Sequence, residues 1–479
     1  MIIKKTKIVA TIGPASESQP MLENLVNAGM NVCRLNFSHG SHEEHEVRVK
    51  NIHAVSEKMG MPIAILQDLS GPKIRIGDFY QERVMLKKGS LFTLTTKACV
   101  GDETKAYVNY AALPKEIKKG DSILLDDGKK SLLVLSTNGV DEIRCRVAVG
   151  GETKGRRGVN LPGVSLKISC LTAKDKKDLL FGVKHKVDFF ALSFVRRATD
   201  IVELRRILAK HNSNAMIIAK IETEEAIENI DEIIKETDGI MVARGDLAVE
   251  VPAEQVPLLQ KMIISKCKAL GKPVIVATQM MESMIKTPVP TRAEVSDVAN
   301  SILDGADAVM LSEESALGEY PVEAVTMMAR VAGSVEANYP HHSALYGDMF
   351  SIEGEEDEYR EIVDAVTFAA VGTASTVGAR IIVALTESGH TARMVSRYRP
   401  EQTIVVMSSK AHVIEQVALS FGCYPVQVEK ITNLDEAIKE VRAFVLKNKL
   451  AKKGDKVVIV AGVPFGHIGG TNMTLVEKI

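Results

Sequence analysis

The chain has 479 residues, 46% hydrophobic and 25% charged, with 60 lysines and arginines against 61 aspartates and glutamates. That length accommodates two to four domains of about 100–200 residues each, and the near-zero net charge gives no general attraction to nucleic acid or anionic lipid. No stretch of about 18 apolar residues is present to cross a bilayer.

The amino-terminal MIIKKTKIVATIGP has few apolar residues before its lysines and is not expected to act as a signal peptide. From there short β-rich apolar runs recur in chain order: TKIVATIG (6–13), MNVCRLNFS (30–38), PIAILQDL (62–69), VDFFALSF (187–194), AMIIAKIE (215–222), GIMVARGD (239–246), PVIVATQM (273–280) and AVMLSEES (308–315). Their first halves are almost continuously hydrophobic, as in parallel strands covered on both faces. Between them, segments such as EEAIENIDEIIKETDG and EQVPLLQKMIISKCKALGKP set apolar residues at i, i+3 and i+4 and stop at Gly or Gly-Lys-Pro. Eight strand–helix units predict a (β/α)8, or TIM, barrel.

Residues 72–168 interrupt that rhythm. Short alternating runs such as SLFTLTTK, DSILLDD and EIRCRVAVG, separated by the turn signals GD, DDGKK and NG, predict a small antiparallel β-barrel domain inserted into the larger barrel. The acidic EGEEDEYRE (353–361) reads as a solvated linker or helix start. Beyond it ARIIVALTES, QTIVVMSS, CYPVQV and DKVVIVAG alternate with helical segments, which predicts a carboxyl-terminal open-sheet α/β domain. The expected division is 1–71 with 169–345 for the barrel, 72–168 for the insertion and 346–479 for the third domain. The six cysteines (Cys33, Cys99, Cys145, Cys170, Cys267, Cys423) show no C-x-x-C spacing, and reduced, buried thiols in a cytoplasmic protein are expected.

Polarity enters the eight strands at their carboxyl ends: Arg34, Asn36 and Ser38; Asp68; Ser193; Lys220 and Glu222; Arg244 and Asp246; Thr278 and Gln279; Ser312 and Glu314. In such a barrel those ends converge on the face where active sites are built. One polar residue at a strand end is ordinary; the joint pattern predicts a site. Lys220 and Glu222, two apart, point the same way. A buried lysine there serves as a Schiff-base nucleophile, an ion-pair partner or a fixed charge for an anionic transition state. Glu222 and Asp246 are the two carboxylates that Mg²⁺ or Mn²⁺ typically takes from protein when substrate and water complete its octahedron. ARGDL leads into a helix whose free N–H groups suit an anion, and Arg34 and Arg75 supply forks for phosphate oxygens. Metal, lysine and arginines together describe phosphoryl transfer better than hydrolysis, because no Ser-His-Asp or metal–histidine set is present. In SHGSHEEH, a metal site is not expected; His42 and His45 are expected on a solvated helix face, with His39 nearer the strand end.

With these residues in hand, the chain resembles the pyruvate kinase family over nearly its whole length. TKIVATIGPAS, NVCRLNFSHG, GPKIR, GVNLPG, IIAKIETEEAI, DGIMVARGDLAVE, VIVATQMMESM, PTRAEVSDVANSILDGADAVMLS and TESGHTAR occur in the family's order. The resemblance implies transfer of the phosphoryl group of phosphoenolpyruvate to ADP, giving ATP and pyruvate, and the barrel, inserted lid and third domain read above. It assigns Lys220 to stabilise the moving phosphoryl group and the enolate, Glu222 and Asp246 to hold Mg²⁺ (or Mn²⁺), and Arg34 to contact the phosphoryl group. Gly245 and Asp246 backbone with Thr278 would hold the substrate carboxylate, and protonation would run through water near Thr278 and Ser312. Asn36, Ser38, Asp68 and the Leu69 carbonyl match the family's monovalent-cation site, and Asn36, His39, Arg75 and Arg157 match positions at the nucleotide. A cytoplasmic homotetramer is implied, with no nucleic-acid or membrane partner.

Two departures stand out. Many members read GPEIR where this chain reads GPKIR; the glutamate accompanies a K⁺ requirement and lysine its absence, so Lys73 is expected to supply in covalent form the charge that K⁺ supplies elsewhere, since like charges a few ångströms apart repel. K⁺ independence follows. Glu313 in LSEESA replaces a usual glycine. In the third domain TESGHT (386–391) is a loop that opens a helix, a phosphate cradle by mechanism, where the family binds sugar-phosphate or AMP effectors. Thr386, Ser388, Gly389, His390, Thr391 and Arg393, with GVPFGHIGGTN (462–472), are expected to shape that pocket. Two rival readings remain from the residues alone. One is an aldolase or lyase acting on pyruvate-like acids, through Mg²⁺ or an imine at Lys220; the other is a non-enzymatic scaffold.

Overall fold

The computed structural model describes residues 4–339, 341, 358–466 and 470–479. Eight parallel strands close a barrel: Lys7–Thr11, Val32–Asn36, Ala64–Asp68, Phe189–Leu192, Met216–Ile221, Gly239–Ala243, Val274–Ala277 and Ala308–Leu311. All eight expected strands are present, and their near-continuous hydrophobicity follows from a core on each face. Val9, Val32, Leu66, Phe189, Ile218, Met241, Ile275 and Met310 fill the interior. Ile8, Cys33, Ile65, Phe190, Ile217, Ile240, Val276 and Val309, one residue out of phase, pack beneath the outer helices. The interior cluster also includes Ala418 and Leu419 from the third domain, which close the amino-terminal end of the barrel.

The helices begin where the sequence supplies caps. Ser41, Thr172 and Thr291 each form a capping box with an acid three residues on, Glu44, Asp175 and Glu294. EEAIENIDEIIKETDG forms two short helices, Glu224–Glu228 and Ile230–Glu236, in place of one. The break falls at Asn229, whose side chain donates to the carbonyls of Arg196 and Glu225 at 3.0 Å.

Between the third and fourth barrel strands, a six-stranded and a two-stranded sheet enclose a separate core that includes Phe92, Leu94, Ile123, Leu132 and Cys145. Pairing there is antiparallel except between Leu91–Thr95 and Lys105–Tyr107, which run parallel. The third domain is a five-stranded sheet covered on both faces. Four parallel strands correspond to the apolar runs. The fifth, Thr471–Lys478, pairs antiparallel at the edge; it has no continuous apolar run because only part of it is buried. The expected boundary at 345/346 and residues 353–357 of the acidic stretch lie outside the described residues; 358–361 begin the helix Glu358–Thr376. Of the cysteines, Cys99 is exposed, contrary to expectation, and the other five are buried.

Candidate active site

Charge gathers at the carboxyl-terminal mouth of the barrel because polar side chains lie at or just past the ends of its strands. Arg34, within the second strand, donates through Nε to Asp68 Oδ2 at 2.8 Å and through Nη1 to Thr11 Oγ1 at 2.8 Å. Lys220 Nζ lies 2.8 Å from Glu222 Oε1, 3.3 Å from Asp68 Oδ1 and 2.7 Å from Ser193 Oγ. The i, i+2 reading of Lys220 and Glu222 therefore holds. Burial alone lowers the Lys220 pKa, but Asp68 and Glu222 outweigh it and hold the ammonium above its usual range. Asp68 is the converse: burial raises it, and Lys220 and Arg34 bring it below the usual carboxylate value. Imine formation needs a neutral amine, so this environment disfavours the Schiff-base reading of Lys220.

Glu222 Oε2 accepts from the Phe194 amide at 2.7 Å. Asp246 is placed differently from expectation: the sixth strand ends at Ala243, and Asp246 sits in the first turn of the helix Arg244–Glu250. Among the described residues its carboxylate has no hydrogen bond or ion pair. Burial first and then Glu222 push it up to about 6. A half-buried carboxylate left without a partner beside a second carboxylate fits a divalent cation.

Thr278 carries local strain. Its φ is +71°, a genuine outlier for a β-branched residue, and Gln279 follows at +54°. The conformation lets Thr278 Oγ1 donate to the Ala277 carbonyl at 2.6 Å and accept from the Gly245 amide at 2.8 Å. The Gly245 N–H expected to face substrate is thus engaged by Thr278. Ser312 donates its amide to Glu314 Oε2 at 2.7 Å, and no hydrogen bond joins it to Thr278. Arg244 turns away from the mouth, pairing with Asp297 at 2.6 Å. Asn36 Oδ1 accepts from the Ser38 amide at 3.1 Å, and the Leu69 carbonyl accepts from Ser193 Oγ at 2.7 Å.

The GPKIR turn passes directly over this mouth. Gly71 has φ +64°, and a Cβ there would stand 2.8 Å from Phe194, so only glycine fits the bend. Lys73 is exposed as a residue, but its ammonium is depressed by burial and then by Lys220, while Asp246, Glu222 and Asp68 act in the opposite sense. His39 is lowered by burial and by the charges of Lys73, Arg75 and Arg34, with Glu313 acting in the opposite sense. Lys73 and Arg75 line a cleft of about 640 Å³ between the barrel and the inserted domain, with Asp126, Asp127, Arg157 and Asp246. Arg34, Lys220, Glu222 and Thr278 lie outside that lining, so the cleft adjoins the charged mouth without containing it.

The histidine reading needs correction at His45, whereas His42 is exposed as expected. His45 is buried, stacked on Phe37 at 3.9 Å, and its Nε2 lies 2.9 Å from the His39 carbonyl; burial pushes it down to about 4. His42 pairs with Asp178 at 2.8 Å. The helix His42–Met59 lies against the barrel on this side, which a pattern of alternating charge and histidine does not reveal. Thr11 and Ser193 hold Arg34 and Lys220 and were given no role by the sequence; their only signal is a hydroxyl at a strand's polar end.

In the third domain, Thr386, Ser388, His390 and Thr391 line a pocket of about 40 Å³ together with Gly462, Phe465, Gly466, Gly470 and Thr471. His467, Ile468 and Gly469 of that second loop lie outside the described residues. Gly389, φ +76°, caps the helix His390–Ser396. Arg393 does not join the pocket. Its guanidinium turns toward the barrel and donates to the Ser388 carbonyl at 3.3 Å. Among the described residues the pocket lining holds the carboxylates of Glu387 and Glu429 and no lysine or arginine.

The family model described as pyruvate kinase, barrel domain, matches residues 3–325, and that described as pyruvate kinase, alpha/beta domain, matches residues 364–477. The pyruvate kinase of Geobacillus stearothermophilus is 46% identical over 99% of this chain and 80% of that protein. That of Clostridium acetobutylicum is 43% identical over the full length of both. A crystal structure of a pyruvate kinase from Cryptosporidium parvum superposes with a TM-score of 0.93 at 36% identity, covering 99% of this chain and 96% of that one.

Proposed function

The chain belongs to the pyruvate kinase family, and from that premise we propose how its residues carry phosphoryl transfer between phosphoenolpyruvate and ADP. A terminal ADP oxygen bonds to phosphorus while the bond from phosphorus to the enol oxygen breaks and leaves its electron pair on that oxygen. The enolate then takes a proton on carbon to give pyruvate. Arg34 and Lys220 set two fixed positive charges beside the transferring group, held by Asp68, Thr11, Glu222 and Ser193 so that little reorganisation is needed as charge moves. Thr278, with Gly245 and Asp246, orients the substrate carboxylate, and Thr278 and Ser312 border the water path that delivers the proton. Glu222 and Asp246 would hold Mg²⁺ or Mn²⁺, which when bound would neutralise substrate negative charge. Asn36, His39, Arg75 and Arg157 face the nucleotide.

The observation that carries this reading is Lys220 held protonated by two carboxylates beside the unpartnered Asp246. Lys73, whose ammonium feels Lys220, Asp246, Glu222 and Asp68, replaces the monovalent ion, so the site formed by Asn36, Ser38, Asp68 and Leu69 needs no K⁺. The pocket at Thr386–Thr391 takes a phosphorylated effector. Among the described residues its lining holds two carboxylates and no lysine or arginine, which disfavours a bisphosphate. We assign the protein to the cytoplasm as a homotetramer, divided at 71/72, 168/169 and 345/346. The test is pyruvate formation from phosphoenolpyruvate, ADP and Mg²⁺ in Tris, with and without KCl at matched ionic strength. Equal rates support the role of Lys73; activity only with KCl removes it while keeping the kinase. No activity even with sugar phosphates and AMP present refutes the site assignment.

A further inference from the structure

The opposite end of the barrel meets the third domain around a cavity of about 10 Å³, lined by Lys268, Lys272, Arg393, Arg397 and Arg399 with Asp307, and by Ser396 and Ser420. Five cationic side chains thus surround it with one carboxylate. That carboxylate is committed: Asp307 accepts from the amides of Val274 and Phe421, both at 3.0 Å, and pairs with Arg399 at 3.4 Å. Lys272 is also satisfied, donating to the carbonyls of Ile234, Lys235 and Thr237.

Donors on Arg399, Arg397 and Ser420 are not satisfied among the described residues. Arg399 is 2% exposed and its guanidinium lies over the Phe421 ring at 4.1 Å. One nitrogen reaches the Gly305 carbonyl, yet Nε and Nη1 have no partner among the described residues. Arg397 spends its two terminal nitrogens on the Ala269 carbonyl and on Asp364, and its Nε has no partner. Ser420 Oγ, also 2% exposed, has none. Four of the eight buried side-chain polar atoms without partners among the described residues therefore belong to residues lining this one cavity. Buried polar groups are rarely left unpaired without a reason, and a guanidinium cannot escape the cost by losing its proton. Burial pushes Arg393 below its ordinary value, with Asp238 acting in the opposite sense.

We propose that this cavity binds a small inorganic anion of the size of chloride, held by Arg399, Arg397 and Ser420, which fastens the third domain to the floor of the barrel. The volume admits one water-sized occupant, and its lining shares no residue with the effector pocket. It lies beneath the same loop, because Arg393 joins its lining to the Ser388 carbonyl.

Crystals of the full chain grown without halide and soaked in sodium bromide test the proposal directly. An anomalous peak within hydrogen-bonding reach of Arg399 and Ser420 is expected; an ordered water with no bromide signal overturns it. In solution, exchanging gluconate for chloride at constant ionic strength should raise the thermal midpoint saturably. Ser420→Ala should shift that titration to roughly tenfold higher chloride, the worth of one hydrogen bond to a charged group. An identical titration in both proteins overturns the proposal, and if Ser420→Ala does not fold, the bromide peak in the unaltered protein decides.

Discussion

The two ends of the barrel bury lysines with opposite results. At the carboxyl-terminal mouth, Lys220 is deeply buried and its pKa is raised, because Asp68 and Glu222 stand within 3.3 Å. At the amino-terminal floor, burial lowers Lys4 to about 7 and also lowers Lys7. Lys4 donates to the Thr6 carbonyl and the Asn31 amide oxygen, and Lys7 to the Cys423 carbonyl. Neutral oxygens satisfy the hydrogen bonds without repaying the cost of desolvating a charge; carboxylates do both. The mouth therefore keeps fixed charge available for chemistry, while the floor, plugged by Leu419, uses polar contacts to hold one domain against another.

The sharpest test of that contrast is Lys220→Met, which should lower kcat/KM by on the order of 10³-fold or more while the fold persists, read by steady-state kinetics with circular dichroism. A loss below tenfold would remove Lys220 from transition-state stabilisation. Asp307→Asn at the floor should do the reverse. It should cost about 3 kcal/mol of stability, by breaking the pair with Arg399 and removing the acceptor for one of two backbone amides, and leave kcat/KM within about twofold. A large kinetic defect in a stable variant would show that the ends are not separable. Lys73→Glu should make activity depend on KCl, falling about tenfold or more without it; a variant as active without K⁺ as with it would show that position 73 does not set the requirement.

The smallest effect concerns His45, beside the mouth. Its folded pKa is about 4 against an ordinary 6.5. Between those values the unfolded chain binds a proton that the folded chain does not, so stability falls as pH drops from 6.5 toward 4. His45→Phe should flatten that limb by roughly 1–2 kcal/mol in urea titrations at pH 6.5 and 4.5. An unchanged slope would place the acid sensitivity elsewhere.

Much of the mouth was legible before any coordinates. Lys220 and Glu222 share a face by the period of a strand, and Arg34 and Asp68 end apolar runs in a barrel whose strand ends converge. Legibility failed where a side chain's environment came from a distant segment. His45 looks solvated in SHEEHEV and is buried against Phe37. Arg393 follows TESGHT closely enough to suggest an effector ligand, yet it turns toward the barrel floor. Thr471–Lys478 lacks an apolar run because an edge strand buries little.

The sequence by itself determined the eight-strand barrel, the interruption after the third strand, the separate third domain and the identities of the charged residues at the strand ends. These depend on local periodicity and on where polarity enters each run, both written within a few residues. Only the tertiary structure decided which charges neutralise one another. It paired Lys220 with Asp68 across 152 positions, left Asp246 without a partner among the described residues, bent Thr278 to positive φ and crowded Arg397 and Arg399 onto one cavity. Those outcomes follow from distance and burial in three dimensions. Electrostatic energy falls with separation in space and with access to water, and neither quantity is fixed by position along the chain.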